Sequence, residues 1–518
     1  MQQTRILWAD DEIDLLKPHI VFLTNKGYSV DKVTSGNDAI DACSRENYDI
    51  IFLDENMPGL SGLETLARIK AIHPDVPVVM ITKSEEEHIM EDAIGSKIAD
   101  YLIKPVNSNQ ILLSIKKLLD NKRLITEKTA HSYQQEFRQI GMDLMDVKTA
   151  DEWMQLYRKI IYWEMELQRS GDTGMDEVMG MQKTEANREW TKFIKNNYVR
   201  FLRHPDAETP AMSHTVLKKK LFPLLTDDTP TFLLVLDNFR YDQWKVIQPI
   251  IAEYFKTVSD DMYLSILPTT THYARNALFA GMMPSEIEKI YKDLWVNEQD
   301  EEGKNQHEED LLKAQLNRLA YKEKIAYTKI TNLDAGKNLI DQIPNMFNNR
   351  LNAIVYNFVD MLSHVRTEMN VMKELAEDEA AYRSITASWF EHSPLFDALK
   401  RMAQKPARLI ITTDHGSIRV QDAVKIVGDK ATSTNLRYKQ GKNLSYDEHE
   451  LFTIKDPSEA YLPKQNVSSR FVFAYENSFM AYPNNYNYHV KLYQNSFQHG
   501  GISLEEMLIP FVVLESKG

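Results

Sequence analysis

Just past the middle of the sequence, Leu267-Pro268-Thr269-Thr270-Thr271-His272-Tyr273-Ala274-Arg275 sets three hydroxyls after a proline, ahead of a helical stretch that ends near Gly281. A threonine at a helix N-terminus sits where backbone N–H groups and the helix dipole favour an anion such as phosphate. Its hydroxyl is a weak nucleophile alone, and a metal ion is one way to activate it. Side chains suited to a metal lie elsewhere in the chain. Asp237 ends an apolar run, Asp360 and His364 share a helix face at a spacing of four, and Asp414-His415-Gly416 and His499-Gly500-Gly501 open glycine turns. Mixed carboxylate and imidazole donors suit zinc, and glycine lets backbone come close to a site. Each pattern alone is common; the weight lies in the set.

A second group sits in the first 120 residues: Asp10 and Asp11, Asp54, Thr82, and Lys104-Pro105. Three acids at one place repel unless a hard cation joins them, and Mg²⁺ takes oxygen ligands. A lysine and a hydroxyl beside them suit a transferred phosphoryl group. Residues 1–120 hold 20 Asp and Glu against 12 Lys and Arg, so −8 of the chain's net −14 falls there. The acidic balance argues against a general nucleic-acid coat protein.

The elements that must position these residues follow from hydrophobic period. Strands at Arg5–Ala9, Ser29–Val33, Ile50–Asp54, Val76–Thr82 and Ala99–Ile103 alternate with helices at Ile13–Lys26, Gly36–Glu46, Leu60–Ile72, Glu86–Ile94 and Ser108–Asp120. Such alternation predicts a parallel sheet with helices on both faces, with the polar residues at its carboxyl edge. Residues 121–205 show only helical spacing, at Leu124–Met142, Lys148–Gln168 and Asp176–Phe201, with a turn at Gly171–Gly174; this predicts a three-helix bundle with no chemistry of its own. From 206 to 518, buried strands at Thr231–Leu236, Ala353–Phe358 and Leu409–Thr412 run into the candidate ligands. Lys218-Lys219-Lys220 reads as a solvated helix face and Asp293–Asp310 as a solvated cap. Lys425 to Lys442, with Lys430, Arg437 and Lys439 among Ser, Thr and Gly, reads as an exposed loop, disordered or touching phosphates of an extended substrate.

Residues 1–120 resemble the receiver domain of two-component response regulators, which implies a flavodoxin-like fold. Asp54, in Asp54-Glu55-Asn56-Met57-Pro58-Gly59, matches the phospho-acceptor, Asp10 and Asp11 the acidic pair, Thr82 the switch hydroxyl, Tyr101 the switch aromatic and Lys104 the lysine before a cis-proline. The family usually has a small residue where Lys83 stands. Residues 206–518 resemble the alkaline phosphatase superfamily, most closely its PglZ branch, implying an α/β domain. By position, Asp237, Asp414 and His415 would hold one zinc beside Thr271, the nucleophile, and Asp360, His364 and His499 a second. Arg275, one turn after Thr271, and Asn238 would face the phosphate.

The order receiver, helical bundle, PglZ-type domain resembles response regulators associated with type IX secretion. It implies phosphorylation of Asp54 by a sensor histidine kinase, a Mg²⁺ in the receiver, and a phosphorylation-dependent homodimer through the face near Tyr101. It also implies two Zn²⁺ in a phosphodiesterase or phosphatase acting on nucleotide or oligonucleotide phosphodiesters. The rival reading is a docking module for a sigma factor or secretion component, with structural zinc. The only cysteine, Cys43, excludes an intrachain disulfide framework. With no signal peptide and no apolar run long enough to span a bilayer, the expectation is a cytoplasmic protein without membrane insertion.

Overall fold

The computed structural model describes residues 4–83, 98–170, 174–297, 303–357, 376, 378–429, 432–464, 466 and 468–518, and within 120–127 the helical backbone alone. The chain divides into two compact units, one of residues 1–134 with 169–173, the other of 135–168 with 174–518.

In the first unit, strands β1 (Arg5–Ala9), β2 (Ser29–Val33), β3 (Ile50–Asp54), β4 (Val78–Thr82) and β5 (Asp100–Ile103) form a sheet in the order β2-β1-β3-β4-β5, parallel throughout. This is the flavodoxin-like order. Side chains of β1 alternate between two cores. Ile6 and Trp8 pack with Phe52, Ile81, Ile111 and Ile115, while Leu7 and Ala9 pack with Leu53, Leu66 and Met80. Helices therefore cover both faces, and the central strands β1, β3 and β4 read as nearly unbroken apolar runs. The single helix expected at Ile13–Lys26 is a 3₁₀ turn, Ile13–Leu16, followed by an α-helix from Lys17 to Asn25, because Pro18 suits only the first turn of a helix. Gly62 opens the helix after Asp54, where a Cβ would lie 2.5 Å from the Asp54 carbonyl oxygen. The expected helix Glu86–Ile94 lies outside the described residues.

One helix spans Ser108–Asp146 where the sequence reading separates two. Residues 120–123 are Asp-Asn-Lys-Arg, with no glycine or proline to stop it. The next helices are Ala150–Ser170 and Asp176–Arg203, and of the expected turn at Gly171–Gly174 only Gly174 is described. In the second unit Trp153 meets Trp190 edge-on at 5.3 Å between ring centroids, and Trp190 stacks on Phe193 at 5.5 Å, so the aromatics at helical spacing are core.

The main sheet of the second unit has six strands: β6 (Thr231–Leu236), β7 (Phe255–Leu264), β8 (Ile325–Ile330), β9 (Leu351–Tyr356), β10 (Arg408–Thr412) and β11 (Leu508–Ser516). Their order is β7-β11-β10-β6-β9-β8; β10, β6, β9 and β8 are parallel, and β11 runs against β10 and β7. Because β11 is antiparallel, the chain enters it at the edge where β6, β7, β9 and β10 end, so Asp237, Asp414, the threonine loop and His499 all arrive at that edge. No described helix is long and apolar enough to cross a membrane.

Among the described residues of Lys425–Lys442, Lys425 ends the strand Asp422–Lys425, Tyr438–Gly441 form another strand, and Arg437 is fully buried against Glu506 rather than exposed. Lys430 lies outside the described residues. Lys439 is 1 % exposed; its Nζ donates to the Ser433 carbonyl at 2.9 Å and lies 4.8 Å from the Tyr482 ring. Burial pushes its ammonium down from 10.5 to about 8. Between those values the folded chain binds fewer protons than the unfolded one, so the cost is full below pH 8 and vanishes as pH rises towards 10.5. Lys439→Met is accordingly expected to stabilise the protein at pH 7 by about 1–3 kcal/mol. Urea unfolding at pH 7 and 10 checks this, the gain shrinking at the higher pH.

Candidate functional site

β6 is six buried residues with Asp237 at its end, and β10 is followed by Thr413, Asp414 and His415, all buried. The two strands are neighbours in register, so these acids face each other across one strand spacing. Asn238 takes a left-handed backbone, φ 53°, and its N–H points at Asp414 Oδ1, 3.3 Å away. Phe239 N–H donates to Thr413 Oγ1 at 3.0 Å. Nδ1 of His415 sits 3.1 Å from the Gly416 carbonyl, to which it can only donate, so that Nε2 is the nitrogen whose lone pair the neutral ring offers a metal.

The threonine loop comes to the same place. Thr270 has extended backbone, and Thr271 opens one wide helical turn to Arg275, continued as Asn276–Ala280 and ended by Gly281 at φ 58°. The Thr271 hydroxyl is 3.3 Å from Asp237 Oδ1 and 3.1 Å from His415 Nε2. Ligand atoms of Asp237, Asp414 and His415 all lie within 4.8 Å of one another. His499 stacks on His415 with ring centroids 4.3 Å apart. Burial and the neighbouring His415 push the His499 imidazole down to about 3, leaving it neutral. Asp360 and His364 lie outside the described residues.

Arg275 is 1 % exposed, and its guanidinium is turned to carboxylates: it pairs with Asp237, with Asp414 through Nε at 3.0 Å and with Glu308 at 3.5 Å. Burial opposes ionisation of Asp414, yet Arg275 and His415 hold it down to about 2. Burial outweighs the same arginine at Asp237 and raises it. Glu308 also takes Lys329 at 3.1 Å and a hydrogen bond from Tyr327. Asn305 donates to the Thr271 carbonyl at 2.9 Å. Asn305 and Glu308 belong to the segment that reads as a solvated cap; its run of acids masks that Glu308 is buried at the start of the helix Glu308–Arg318. Three buried carboxylates here face one arginine and one lysine, so the donor set of two carboxylates and an imidazole has charge to spare for a cation. The side-chain oxygens of Asn238 and Thr270 are buried beside it without hydrogen-bond partners.

In the first unit, Asp10, Asp11 and Asp54 bring carboxylate oxygens within 4.8 Å of one another at the carboxyl edge of the sheet. Lys104 Nζ bridges Asp10 at 2.9 Å and Asp54 at 3.1 Å, and the peptide bond to Pro105 is cis. Burial raises the Asp54 carboxyl despite Lys104. An all-oxygen acidic set that one lysine cannot neutralise fits a hard divalent cation. Thr82 donates to Glu55, Lys83 is exposed, and Tyr101 is 45 % exposed.

Three family models match the chain. Residues 6–116 match the response regulator receiver domain, 123–202 the PorX response regulator linker domain, and 216–514 the alkaline phosphatase-like PglZ domain of BREX systems. Among curated proteins, the transcriptional regulatory protein ResD of Bacillus subtilis is 32 % identical over 117 residues, 23 % of this chain and 48 % of ResD. The alginate biosynthesis transcriptional regulatory protein AlgB of Pseudomonas syringae is 34 % identical over 122 residues, 24 % of this chain and 27 % of AlgB. The chain thus spans less than half the length of these relatives. Among solved structures, the chemotaxis protein CheY4 of Vibrio cholerae is 22 % identical, covering 23 % of this chain and 99 % of that one, with a TM-score of 0.22.

Proposed function

We propose, from the premise that this chain belongs to the family carrying the alkaline phosphatase-like PglZ domain and joins that domain to a response regulator receiver, that it is a zinc-dependent phosphodiesterase governed by phosphorylation of Asp54. The observation that carries the enzymatic reading is Thr271: its hydroxyl lies 3.3 and 3.1 Å from two members of a buried three-ligand group. Asp237, Asp414 and His415 would hold one zinc, and His499, with Asp360 and His364, a second. Zinc held there would supply Lewis acidity beside the Thr271 oxygen.

The chain's own part is positional. The Thr271 hydroxyl directs its proton at Asp237 Oδ1, freeing an oxygen lone pair for phosphorus. Attack forms the threonine–phosphorus ester and breaks the bond to the leaving group, which departs as an alcohol carrying the proton given up by Thr271; water then cleaves that ester, releasing the phosphate monoester and restoring the Thr271 hydroxyl. Arg275 holds Asp237 and Asp414 in place rather than reaching the substrate. With its charge taken up by carboxylates, the site has little positive charge of its own for a monoester dianion. A singly charged diester, of a nucleotide or oligonucleotide, suits it better. Asn238 would contact a nonbridging oxygen of that substrate through its side-chain N–H groups, the donors of its amide.

A receiver implies a phosphodonor such as a sensor kinase. On this reading Mg²⁺ sits with Asp10, Asp11 and Asp54, and the exposed Tyr101 marks the face of a phosphorylated homodimer whose output serves type IX secretion. The test is turnover of bis-p-nitrophenyl phosphate and p-nitrophenyl phosphate by the zinc-loaded full chain, with metal content measured. Preference for the diester at close to two zincs per chain is expected. Bound zinc without turnover would favour a docking module for a sigma factor or secretion component, and no bound zinc would sink the metal assignment.

A further inference from the structure

Within the second unit, one face of the helix Asp176–Arg203 touches both loops that close on the site. Tyr198 is fully buried, and its hydroxyl accepts the Leu267 N–H at 2.8 Å, at the head of the loop that carries Thr271. Asn187 spans the segment after His499: its Oδ1 accepts the Leu504 N–H at 2.8 Å and its Nδ2 donates to Glu505 Oε2 at 3.1 Å. Asn187 and Tyr198 stand about three turns apart on the same helix face, roughly 16 Å along its axis. In front of the helix, the two loops are fastened to each other. Thr269 Oγ1 bonds the Gly501 carbonyl at 2.9 Å and the Gly500 N–H at 3.0 Å, and His499 Nδ1 faces the Thr269 carbonyl at 3.2 Å.

Leu267 and Leu504 lie outside β7 and β11, so these hydrogen bonds are not part of the sheet's own pairing. The contacts act instead on loop segments a few residues from Thr271 and His499. We propose that this linker helix is a splint for the reaction site, with Tyr198 and Asn187 as positioning residues that keep the threonine loop and the His499 loop in register. The inference rests on Thr271 being the nucleophile, and deepens that reading by placing a control point in the linker. A shift of the helix along its axis moves both loops together.

Tyr198→Phe removes only the hydroxyl. With zinc-loaded full chain, kcat for bis-p-nitrophenyl phosphate is expected to fall about 10-fold, since misplacement by about an ångström can cost up to about 10²-fold. KM should stay unchanged, and the zinc assigned to Asp237, Asp414 and His415 should stay bound. Amide hydrogen exchange should quicken at 265–275 and 499–505 while the Trp153–Trp190 core stays protected. Asn187→Ala should do the same, and the double variant should lose less than the product of the two. Unchanged kcat overturns the proposal, as does a loss of turnover that follows a uniform rise in exchange across the unit. If the unaltered chain turns over no phosphodiester, the reading of the site fails separately. The exchange pattern then decides the splint alone: local quickening sustains it, and quickening absent from both loops ends it.

Discussion

Thr271→Ala is expected to lower phosphodiester turnover by about 10³-fold or more, the scale seen when a covalent nucleophile is removed. Bound zinc should stay as in the unaltered chain, because the mutual ligand group is Asp237, Asp414 and His415 and does not include the threonine. The fold should also survive. Thr271 has intermediate exposure, its carbonyl bond to Asn305 is backbone, and alanine suits the helical turn it opens. Thr271→Ser keeps an oxygen at the same place and should retain turnover within about 10-fold, serine lacking only the methyl group that fixes the rotamer. Initial rates with bis-p-nitrophenyl phosphate, alongside metal analysis, separate the outcomes. Residual turnover near the unaltered rate in the alanine variant would move the nucleophile elsewhere. Thr270 is the nearest rival, because its hydroxyl is buried without a partner.

What was legible in the sequence follows physical locality. β1, β3, β6 and β10 are unbroken apolar runs, and Asp54, Asp237 and Asp414 stand where those runs stop, so strand ends and their acids could be read directly. The convergence of His499 was less open, since it depends on β11 running antiparallel, and a 2-residue period carries no direction. Buried charge was hidden altogether. Arg275, Glu308, Arg437 and Lys439 have the composition of a solvated surface, and only their long-range partners bring them inside. The continuous helix Ser108–Asp146 was missed for the opposite reason: the reading placed a domain boundary in a stretch with nothing to break a helix. Tyr198 and Asn187 were invisible among the bundle's other apolar and amide residues, because each holds a distant backbone N–H, which leaves no trace in side-chain patterns, and Asn187's side-chain partner Glu505 lies 318 residues on.

A buried charge network should make Arg383 the second sensitive position. Its guanidinium lies 3.0 Å from Glu164 and 3.1 Å from Asp242, and it donates to Gln168 Oε1 at 2.8 Å. Asp242 also pairs with Arg240, which in turn meets Glu379 and the Ser417 carbonyl. Glu164 takes Lys183 at 3.0 Å. Burial opposes the charge on Glu164, yet Lys183 and Arg383 keep its carboxyl below the usual range. Stability from that carboxylate is present above its ordinary value of 4.5 and is lost as pH falls through the depressed one. Arg383→Met keeps most of the bulk but removes one of two cations from each of Glu164 and Asp242, leaving Lys183 and Arg240, and should cost about 2–3 kcal/mol at pH 7, below the roughly 3–5 kcal/mol of a buried charge left wholly unpaired. Adding Glu164→Gln removes one under-paired charge and should recover part of the loss. A double-mutant cycle in urea measures the coupling, and additive losses would show that the two side chains do not share a network. Lowering the pH towards 4 should narrow the gap between the unaltered chain and the Arg383 variant, because the under-paired carboxylates take up protons first in the variant. The network joins the helices Ala150–Ser170 and Asp176–Arg203 to the loop after Asp237 and to the residue after Gly416. Its loss should therefore reach the zinc ligands too, and Arg383→Met should bind zinc more weakly than the unaltered chain by about 10-fold, the scale at which residues behind the ligands act.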